Sequence, residues 1–218
     1  MAGVERVLIV GAGMAGLALA TALRRAGLVP DIIERADRFP VDGAGIYLVG
    51  NAMRALERLG VADTIRQSGA EIPTQTISSE TGRRIVQVDT ASVWSGCGPC
   101  IGARRTDLLS ALAGGLGTIS PRFSTTLTAI DQNTDTAKVH FDDGSTQDYD
   151  LVIGADGIRS SVRAMAFGGT EPRFCGQVAW RFLTRCPASV TSWSLFVGKS
   201  RAFLIIPVGQ GTAYCYAD

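Results

Sequence analysis

The stretch from Val4 to Glu34 constrains the fold of this chain more than any other. An apolar, β-branched run that ends at Val10 is typical of a strand, and the turn Gly11-Ala12-Gly13-Met14-Ala15-Gly16 follows it directly. An Ala- and Leu-rich segment of helical character then runs to Ala26, and Val29 to Arg35 has the composition of a second strand. This order of strand, G-x-G-x-x-G turn, helix and strand predicts a βαβ unit that binds a dinucleotide.

Each glycine of the turn has a physical role in such a unit. Gly11 lets the chain turn sharply off the first strand, Gly13 lets a pyrophosphate approach the backbone, and Gly16 lets helix and strand pack closely. The helix N-terminus presents free N–H groups to the phosphates. Glu34 follows about 20 residues after the last glycine, where its carboxylate can accept hydrogen bonds from both ribose hydroxyls. These residues predict that the chain binds an adenine dinucleotide.

Composition and charge favour a globular chain with no nucleic-acid or membrane partner. Hydrophobic residues make up 46% of the 218 residues and charged residues 19%, and the net charge of +1 contains no basic block. No apolar stretch reaches membrane-spanning length, and Gly11 interrupts the N-terminal run that a signal peptide would need. We therefore expect a cytoplasmic location, in which the five cysteines are free thiols.

The remainder of the chain predicts two kinds of sheet. Leu151-Val152-Ile153-Gly154 is a short, wholly apolar strand of the kind found in parallel sheet cores. Tyr47 to Leu59 has apolar residues at helical spacing, and Ala70 to Asp89 has the pattern of a hairpin. Later runs predict further strands: Gln177 to Thr184, Ser192 to Val197, Arg201 to Ile206 and Ala213 to Tyr216. The predicted fold class is α/β, with a Rossmann-like parallel sheet interleaved with a mostly antiparallel sheet.

The segment Cys97-Gly98-Pro99-Cys100 matches the redox motif of thioredoxins. In those proteins the first cysteine begins a helix directly after a buried strand, which depresses the pKa of its thiol. Here Ala91 to Val93 is short and polar, and the surrounding Gly and Pro residues are typical of an irregular loop. We interpret both cysteines as incidental, with a thiol–disulfide oxidoreductase as an alternative. No metal site is expected, because no second cysteine pair has suitable spacing and the only histidine, His140, lies in a predicted strand.

Three separated motifs resemble those of the FAD-dependent aromatic hydroxylases, the single-component flavin monooxygenases that share the fold of 4-hydroxybenzoate hydroxylase. They are Gly11 to Gly16 with Glu34-Arg35, Arg105-x-Asp107-Leu108, and Gly154-Ala155-Asp156-Gly157-x-x-Ser160-x-x-Arg163. Further segments are similar to the salicylate and hydroxynicotinate hydroxylase branch: Gly43 to Ile46, the Asn51-Ala52 helix, and Val178 to Arg181. The resemblance extends over essentially the whole chain.

The resemblance implies an FAD site. Its residues would be Gly11, Gly13, Ala15, Gly16, Glu34, Arg35, Gly45, Ile46, Arg105, Leu127, Asp156 and Gly157. In this assignment Arg105 reaches the FAD from a helix, and Arg104 is its solvated neighbour. Leu127 offers backbone groups to adenine or is a core leucine. Asp156 contacts FAD and helps to position the nicotinamide, caps a helix, or does both.

Two residues are candidates for catalysis. Tyr47 directly follows residues that would lie against the isoalloxazine, so its phenol could hydrogen-bond a substrate hydroxyl or accept its proton; alternatively it fills the core. Arg181 is a second polar candidate, with a structural salt bridge as its alternative role. The apolar residues Leu204 to Ile206 suit the wall of a pocket for an aromatic ring.

The activity implied by the resemblance is hydroxylation of a small aromatic substrate with O2 and either NADH or NADPH, through a C4a-hydroperoxyflavin. The isoalloxazine supplies the chemistry, while the protein holds the ring, excludes water and polarises the phenol. Which aromatic substrate is used, and which nicotinamide, stay open. The family binds its nicotinamide without a second Rossmann unit.

The predicted domains are discontinuous. Residues 1–70 and 98–165 form the FAD-binding domain, and residues 71–97 and 166–218 form an incomplete substrate domain. The family carries a downstream Gly-Asp-Ala-Ala-His motif that this sequence lacks. We therefore expect the N-terminal half of a hydroxylase, completed by a C-terminal half or a homodimer partner. The alternative is a non-catalytic flavin-binding fragment that depends on a partner.

Overall fold

The computed structural model describes residues 3–169 and 171–218. The chain divides into two compact units. The first unit comprises Met1–Pro40 and Leu112–Phe174, and the second comprises Val41–Ala111 and Cys175–Asp218. These units are defined by contacts within the fold, whereas the boundaries predicted from sequence concern which residues bind flavin and substrate. Those functional boundaries stay a prediction.

The secondary structure alternates between helices and short strands. The helices are α1 (Met14–Arg25), α2 (Gly50–Leu59), α3 (Ala62–Ser68), α4 (Thr90–Val93), α5 (Arg105–Gly114) and α6 (Ser161–Phe167). The strands are β1 (Val7–Val10), β2 (Asp31–Ile33), β3 (Gly45–Leu48), β4 (Ala70–Glu71), β5 (Thr74–Ser79), β6 (Arg84–Asp89), β7 (Ile101–Arg104), β8 (Leu127–Gln132), β9 (Ala137–Phe141), β10 (Thr146–Tyr149), β11 (Leu151–Gly154), β12 (Trp180–Arg185), β13 (Trp193–Gly198), β14 (Arg201–Pro207) and β15 (Thr212–Ala217). No helix in the described ranges is long and apolar enough to cross a membrane.

A three-stranded parallel sheet in the order β11-β1-β2 organises the first unit. All four residues of β1 are buried, as expected for a central parallel strand. The predicted βαβ unit is confirmed. Its strands, β1 and β2, contain fewer residues than the apolar runs from which they were predicted. The predicted parallel strand β11 is confirmed as well, but it lies at the edge of this sheet, where Leu151 is 42% exposed.

Close packing of α1 on β1 depends on Gly16. A Cβ at this position would overlap the carbonyl oxygen of Gly11 and touch the Ile9 side chain. The helix ends at Arg25, and Gly27 follows with φ +87°, a conformation that glycine adopts at little cost. The sequence therefore determines both the depth at which α1 packs and the point at which it stops.

A second, antiparallel sheet of the first unit has the order β10-β9-β8. Its Val139 and Phe141 share a buried cluster with Leu8 of β1 and with Tyr149. The Tyr149 hydroxyl donates a 2.8 Å hydrogen bond to the Asp31 carboxylate at the start of β2. This bond satisfies a polar atom of an otherwise buried side chain and links the two sheets of the unit.

The second unit contains a six-stranded sheet and a smaller three-stranded one. The large sheet has the order β12-β15-β14-β13-β5-β6, and all its pairs are antiparallel except β13 with β5. The predicted hairpin and the four later predicted strands are all present in it. The small sheet has the order β3-β7-β4 and is antiparallel throughout.

The helix predicted from Tyr47 to Leu59 is wrong at its start. Tyr47 lies in β3, and α2 begins only at Gly50, after an extended Val49. The reason is pairing over a long sequence distance, because β3 forms a ladder with β7, in which Tyr47 lies opposite Gly102. Helical spacing of apolar residues cannot reveal such a partner.

The segment after α4 is a series of turns without regular structure, as the sequence predicted for the Cys-Gly-Pro-Cys motif. Cys97 is half-buried and Cys100 is only 1% exposed, and both are free thiols. Neither cysteine begins a helix, so the geometry that activates a thioredoxin thiol is not formed here.

Replacing Gly16 by Ala should destabilise the first unit by about 1–3 kcal/mol, the usual cost of overpacking. Gly13→Ala is the matched control, since a Cβ at Gly13 would meet nothing within 4 Å and φ is −75°. It should cost less than about 1 kcal/mol, as a change of helix-capping residue. Urea unfolding followed by circular dichroism compares the two; equal stability of Gly16→Ala and the wild type would contradict the packing argument.

Candidate functional site

A groove of about 260 Å³ lies in the first unit at the carboxyl ends of its parallel strands. Val10 ends β1, Ile33 ends β2, and Ala155 follows β11, and all three line the groove. Ligands of open α/β sheets bind at this edge. The volume is below the ~300–1,000 Å³ of common ligand pockets. The groove can therefore receive one part of a dinucleotide rather than the whole molecule.

The groove brings together seven of the predicted cofactor residues. They are Gly11, Gly13, Glu34, Arg35, Leu127, Asp156 and Gly157. Ala15 and Gly16 belong to α1 but do not line the groove, and Gly45, Ile46 and Arg105 belong to the second unit. The sequence analysis missed Thr125, Thr126, Arg159 and Ser161, which also line the groove. Thr125, Thr126 and Arg159 each lie within two residues of a predicted cofactor residue, whereas Ser161 lies four residues after Gly157.

The N-terminus of α1 has unpaired donors toward this groove. Its N-cap, Gly13, is extended, no side chain caps the helix, and its first turn contains no acidic residue. The first N–H groups of a helix have no partner within the helix and carry a partial positive charge. Because a Cβ at Gly13 would meet open space, an oxyanion can approach this backbone closely.

The loops after β1 and β11 approach each other at Gly11. This residue has φ +107°, and a Cβ built on it would lie 2.6 Å from the carbonyl oxygen of Ala155. Any other residue would suffer both a strained backbone and a steric clash. The requirement for glycine here is structural, and it keeps the floor of the groove free of side chains.

Glu34 is held in place by the backbone around it. Its Oε2 accepts a 2.8 Å hydrogen bond from the amide of Ala12, and its Oε1 accepts a 3.0 Å bond from the amide of Ala36. Its own backbone bonds to Arg122 and Thr125 on a neighbouring segment. An ionised carboxylate has about four acceptor sites, so both oxygens retain capacity for the hydroxyls of a ribose. Glu34 is thus oriented before any ligand binds.

The Asp156 carboxylate stabilises the start of α6. Its Oδ2 accepts hydrogen bonds from the amides of Ser161 (2.6 Å) and Val162 (3.2 Å), and its Oδ1 accepts one from the Ser160 hydroxyl (2.6 Å). Ser160 in turn caps the helix by accepting from the Arg163 amide at 3.0 Å. The capping alternative for Asp156 is therefore observed, and its contact with a cofactor stays a prediction.

For Leu127 the alternative of a core leucine is observed. Its side chain is 5% exposed and belongs to the same buried cluster as Val139 and Phe141. The residue also lines the groove, next to Thr126. The contact of its backbone with adenine stays a prediction.

In the second unit, Arg104 differs from its prediction. The sequence analysis assigned it as a solvated neighbour of Arg105, but its Nε is buried and its Nη2 donates a 2.9 Å hydrogen bond to the Thr212 hydroxyl. Arg105 is the exposed residue of the two, and its amide bonds to the Ala44 carbonyl oxygen. Strand alternation explains the difference, because Arg104 is the last residue of β7 and faces β15, whereas Arg105 begins α5.

Tyr47 lies in an apolar environment. It packs on a cluster that contains Cys100, Trp94 and Tyr214, and its hydroxyl is buried without a hydrogen-bond partner of normal geometry. Burial raises the pKa of the Tyr47 phenol well above its ordinary value, and the adjacent Cys100 thiol raises it further. The phenol is therefore neutral at physiological pH, a form that can donate a hydrogen bond.

Some of the other predicted substrate residues pack on the same cluster as Tyr47, and some do not. Leu204 and Ile206 pack with it, while Ile205 points to a separate cluster with Cys215. Arg181 is exposed, and its guanidinium carbon lies 5.6 Å from the centroid of the Tyr216 ring. Among the described residues no group of three or more acidic, histidine or cysteine side chains could hold a metal ion.

Comparison with known proteins gives consistent family matches. A family model described as an FAD binding domain matches residues 5–193. The aurachin C monooxygenase/isomerase of Stigmatella aurantiaca is 34% identical to this chain over 97% of the chain and 56% of that protein. The 6-hydroxynicotinate 3-monooxygenase of Bordetella bronchiseptica is 31% identical over 86% of the chain and 50% of that protein.

Solved structures show the same similarity. Klebsiella pneumoniae HpxO, crystallised with FAD and uric acid, superposes with a TM-score of 0.87 at 26% identity, covering 98% of this chain and 56% of that one. The chain thus spans about half the length of the curated relatives that it matches.

Glu34→Ala should weaken FAD binding by about 1–3 kcal/mol, because a charge-assisted hydrogen bond to the ribose is lost. Glu71→Ala is the matched control, since it removes the same charge from an exposed position of the second unit. Quenching of flavin fluorescence on titration measures both affinities. If Glu34→Ala and Glu71→Ala bind FAD equally well, the ribose lies elsewhere.

Proposed function

The chain belongs to the FAD binding domain family, and from this premise we propose that it is part of an FAD-dependent monooxygenase that hydroxylates a small aromatic compound. The observation that carries the proposal is the groove of the first unit. There the uncapped N-terminus of α1, the open backbone at Gly13 and the oriented carboxylate of Glu34 converge on one place. These groups fit a pyrophosphate and an adjoining ribose.

The residues present fit the adenosine diphosphate portion of FAD. Backbone N–H groups at the start of α1 would bind the phosphates, Glu34 the ribose hydroxyls, and the segment from Thr125 to Leu127 the adenine. Gly45, Ile46 and Arg105 remain predicted cofactor contacts. FAD held by these residues would supply the redox chemistry: it would pass two electrons from NADH or NADPH to O2, so that one oxygen atom enters the ring and the other leaves as water.

The second unit offers groups suited to an aromatic substrate. The neutral phenol of Tyr47 can donate a hydrogen bond to a ring oxygen, and the apolar side chains around it keep water away. Two relatives are named for 6-hydroxynicotinate and for 3-amino-4-hydroxybenzoate. These names support a hydroxylated aromatic substrate for this chain as well.

The proposed activity belongs to a protein of about the relatives' length. This chain would supply the FAD-binding residues, within 1–70 and 98–165, and part of the substrate domain, within 71–97 and 166–218. A C-terminal half or a partner chain would supply the rest. A second candidate is a flavin-binding chain that needs a partner for activity. A thiol–disulfide oxidoreductase is not favoured, because Cys100 is buried and Cys97 begins no helix.

A direct test compares two proteins. One is this chain, and the other is a chimera in which this chain is followed by the C-terminal part of one of the relatives. Both should bind FAD in preference to NAD. With an aromatic acid or phenol present, the chimera should couple NADH or NADPH consumption to a hydroxylated product. Hydrogen peroxide released in place of product measures how far each protein fails to couple the two reactions.

Two results would count against the proposal. Tight binding of NAD with no binding of FAD would remove the cofactor assignment. A chimera that binds FAD yet never forms a hydroxylated product from any aromatic acid or phenol would leave only the second candidate. Absorbance of bound flavin, nicotinamide consumption, peroxide and product are each measured on the same samples.

A further inference from the structure

The second unit has an edge strand whose apolar side chains lie in solvent. Strand β6 is at one end of the six-stranded sheet, next to β5. Every residue of β6 except Val88 is exposed, and Ile85 and Val86 are exposed by 56% and 41%. An exposed sheet edge of this kind is a template on which another strand can pair.

The backbone of β6 presents hydrogen-bonding groups at this edge. The Thr90 N–H donates to the Pro73 carbonyl oxygen, which continues the ladder between β6 and β5. In an antiparallel pair, every second residue of a strand bonds to the strand beside it. Val88 therefore bonds toward β5, whereas Gln87 and Asp89 direct their N–H and C=O groups away from it. These outward groups are the ones that a further strand would bond.

The charges of β6 favour pairing with a second copy of the same strand. Arg83 precedes the strand, Arg84 begins it and Asp89 ends it. An antiparallel alignment of two copies brings the basic start of each strand to the acidic end of the other, whereas a parallel alignment brings like charges together. The bulge in the β5–β6 ladder lies near the basic end, between Ile77 and Ser78, so the rest of β6 keeps a regular register.

The other edge of the same sheet lacks this complementarity. Strand β12 is also largely exposed, and Trp180 and Phe182 are exposed by 63% and 47%. Its charged residues are Arg181 and Arg185, and its sequence contains no acid. Two copies of β12 would therefore meet with positive charge on both sides. The two edges share exposure but differ in charge, and of the two only β6 is complementary to itself.

We propose that two copies of this chain associate through β6, with the two strands antiparallel, so that one sheet continues across the dimer. Gln87 of each copy then bonds to the backbone of the other, and Ile85 and Val86 pack on the apolar side chains opposite. The net charge of +1 gives little repulsion between copies. Because strands of six residues bury less surface than a permanent interface, the dissociation constant should be on the order of 10–100 µM.

Sedimentation equilibrium over a protein concentration range of about 5–500 µM, which brackets this constant, measures the association. Gln87→Pro removes an outward N–H but no bond to β5, and proline is tolerated at such edge positions. It should raise the dissociation constant at least about tenfold. Arg185→Pro is the matched control at the other edge. Since the Cys186 N–H bonds to Gly211, the neighbouring Arg185 N–H points outward, and this variant should dimerise as the wild type does.

A second pair of variants tests the charges. Arg83→Glu combined with Arg84→Glu places acid against Asp89 of the other copy and should weaken the dimer at least about tenfold. Arg54→Glu combined with Arg58→Glu changes the net charge equally at exposed positions of α2 and should leave the dimer unchanged. Added salt should weaken the wild-type dimer, because exposed charges are screened. Circular dichroism and thermal unfolding establish that each variant is folded.

Three outcomes would overturn the proposal. A wild-type chain that stays monomeric over the whole concentration range would leave this edge to a strand of another sequence. Equal association of the wild type and Gln87→Pro would place the interface on a different surface, and loss of the dimer in Arg185→Pro would place it at β12. None of these measurements requires bound FAD, so their failure leaves the proposed function standing.

Discussion

The close contact between Gly16 and the Gly11 carbonyl is the constraint on which the candidate cofactor site depends. It sets how deeply α1 packs against β1, and so places the helix N-terminus at the carboxyl edge of the parallel sheet. Glu34 then bonds to the amide of Ala12 within the same turn. Unpaired N–H groups and a carboxylate acceptor are thus fixed by a short stretch of backbone before a ligand is present, in positions that suit a phosphate and a ribose.

Much of the first unit could be predicted because its determinants are local. The glycine spacing, the strand on either side of α1 and the acid after β2 are all encoded in about thirty consecutive residues. Thr125 could not be found in this way, since its segment meets β2 only through long-range pairing, in which its amide bonds to the Glu34 carbonyl oxygen. Asp156 shows a further limit: its sequence position is compatible with capping and with cofactor binding, and both depend on the same carboxylate.

The second unit was harder to predict because its determinants are long-range. Tyr47 has helical neighbours in sequence, yet its ladder with β7 draws it into a strand. That same ladder places Arg104 on the buried face, where the sequence suggested a solvated side chain. Whether a buried polar atom is left unpaired depends on which strands pair in the folded protein. Neither hydrophobic periodicity nor a family motif therefore reveals such an atom.

A crystal structure of the chain grown with FAD tests the central claim most directly. We expect pyrophosphate oxygens to accept hydrogen bonds from the backbone N–H groups at the start of α1, and both hydroxyls of the adenosine ribose to donate to Glu34. The Gly11 turn should move little, because its packing is already set. FAD bound with its pyrophosphate away from α1, or with its ribose out of reach of Glu34, would contradict the account.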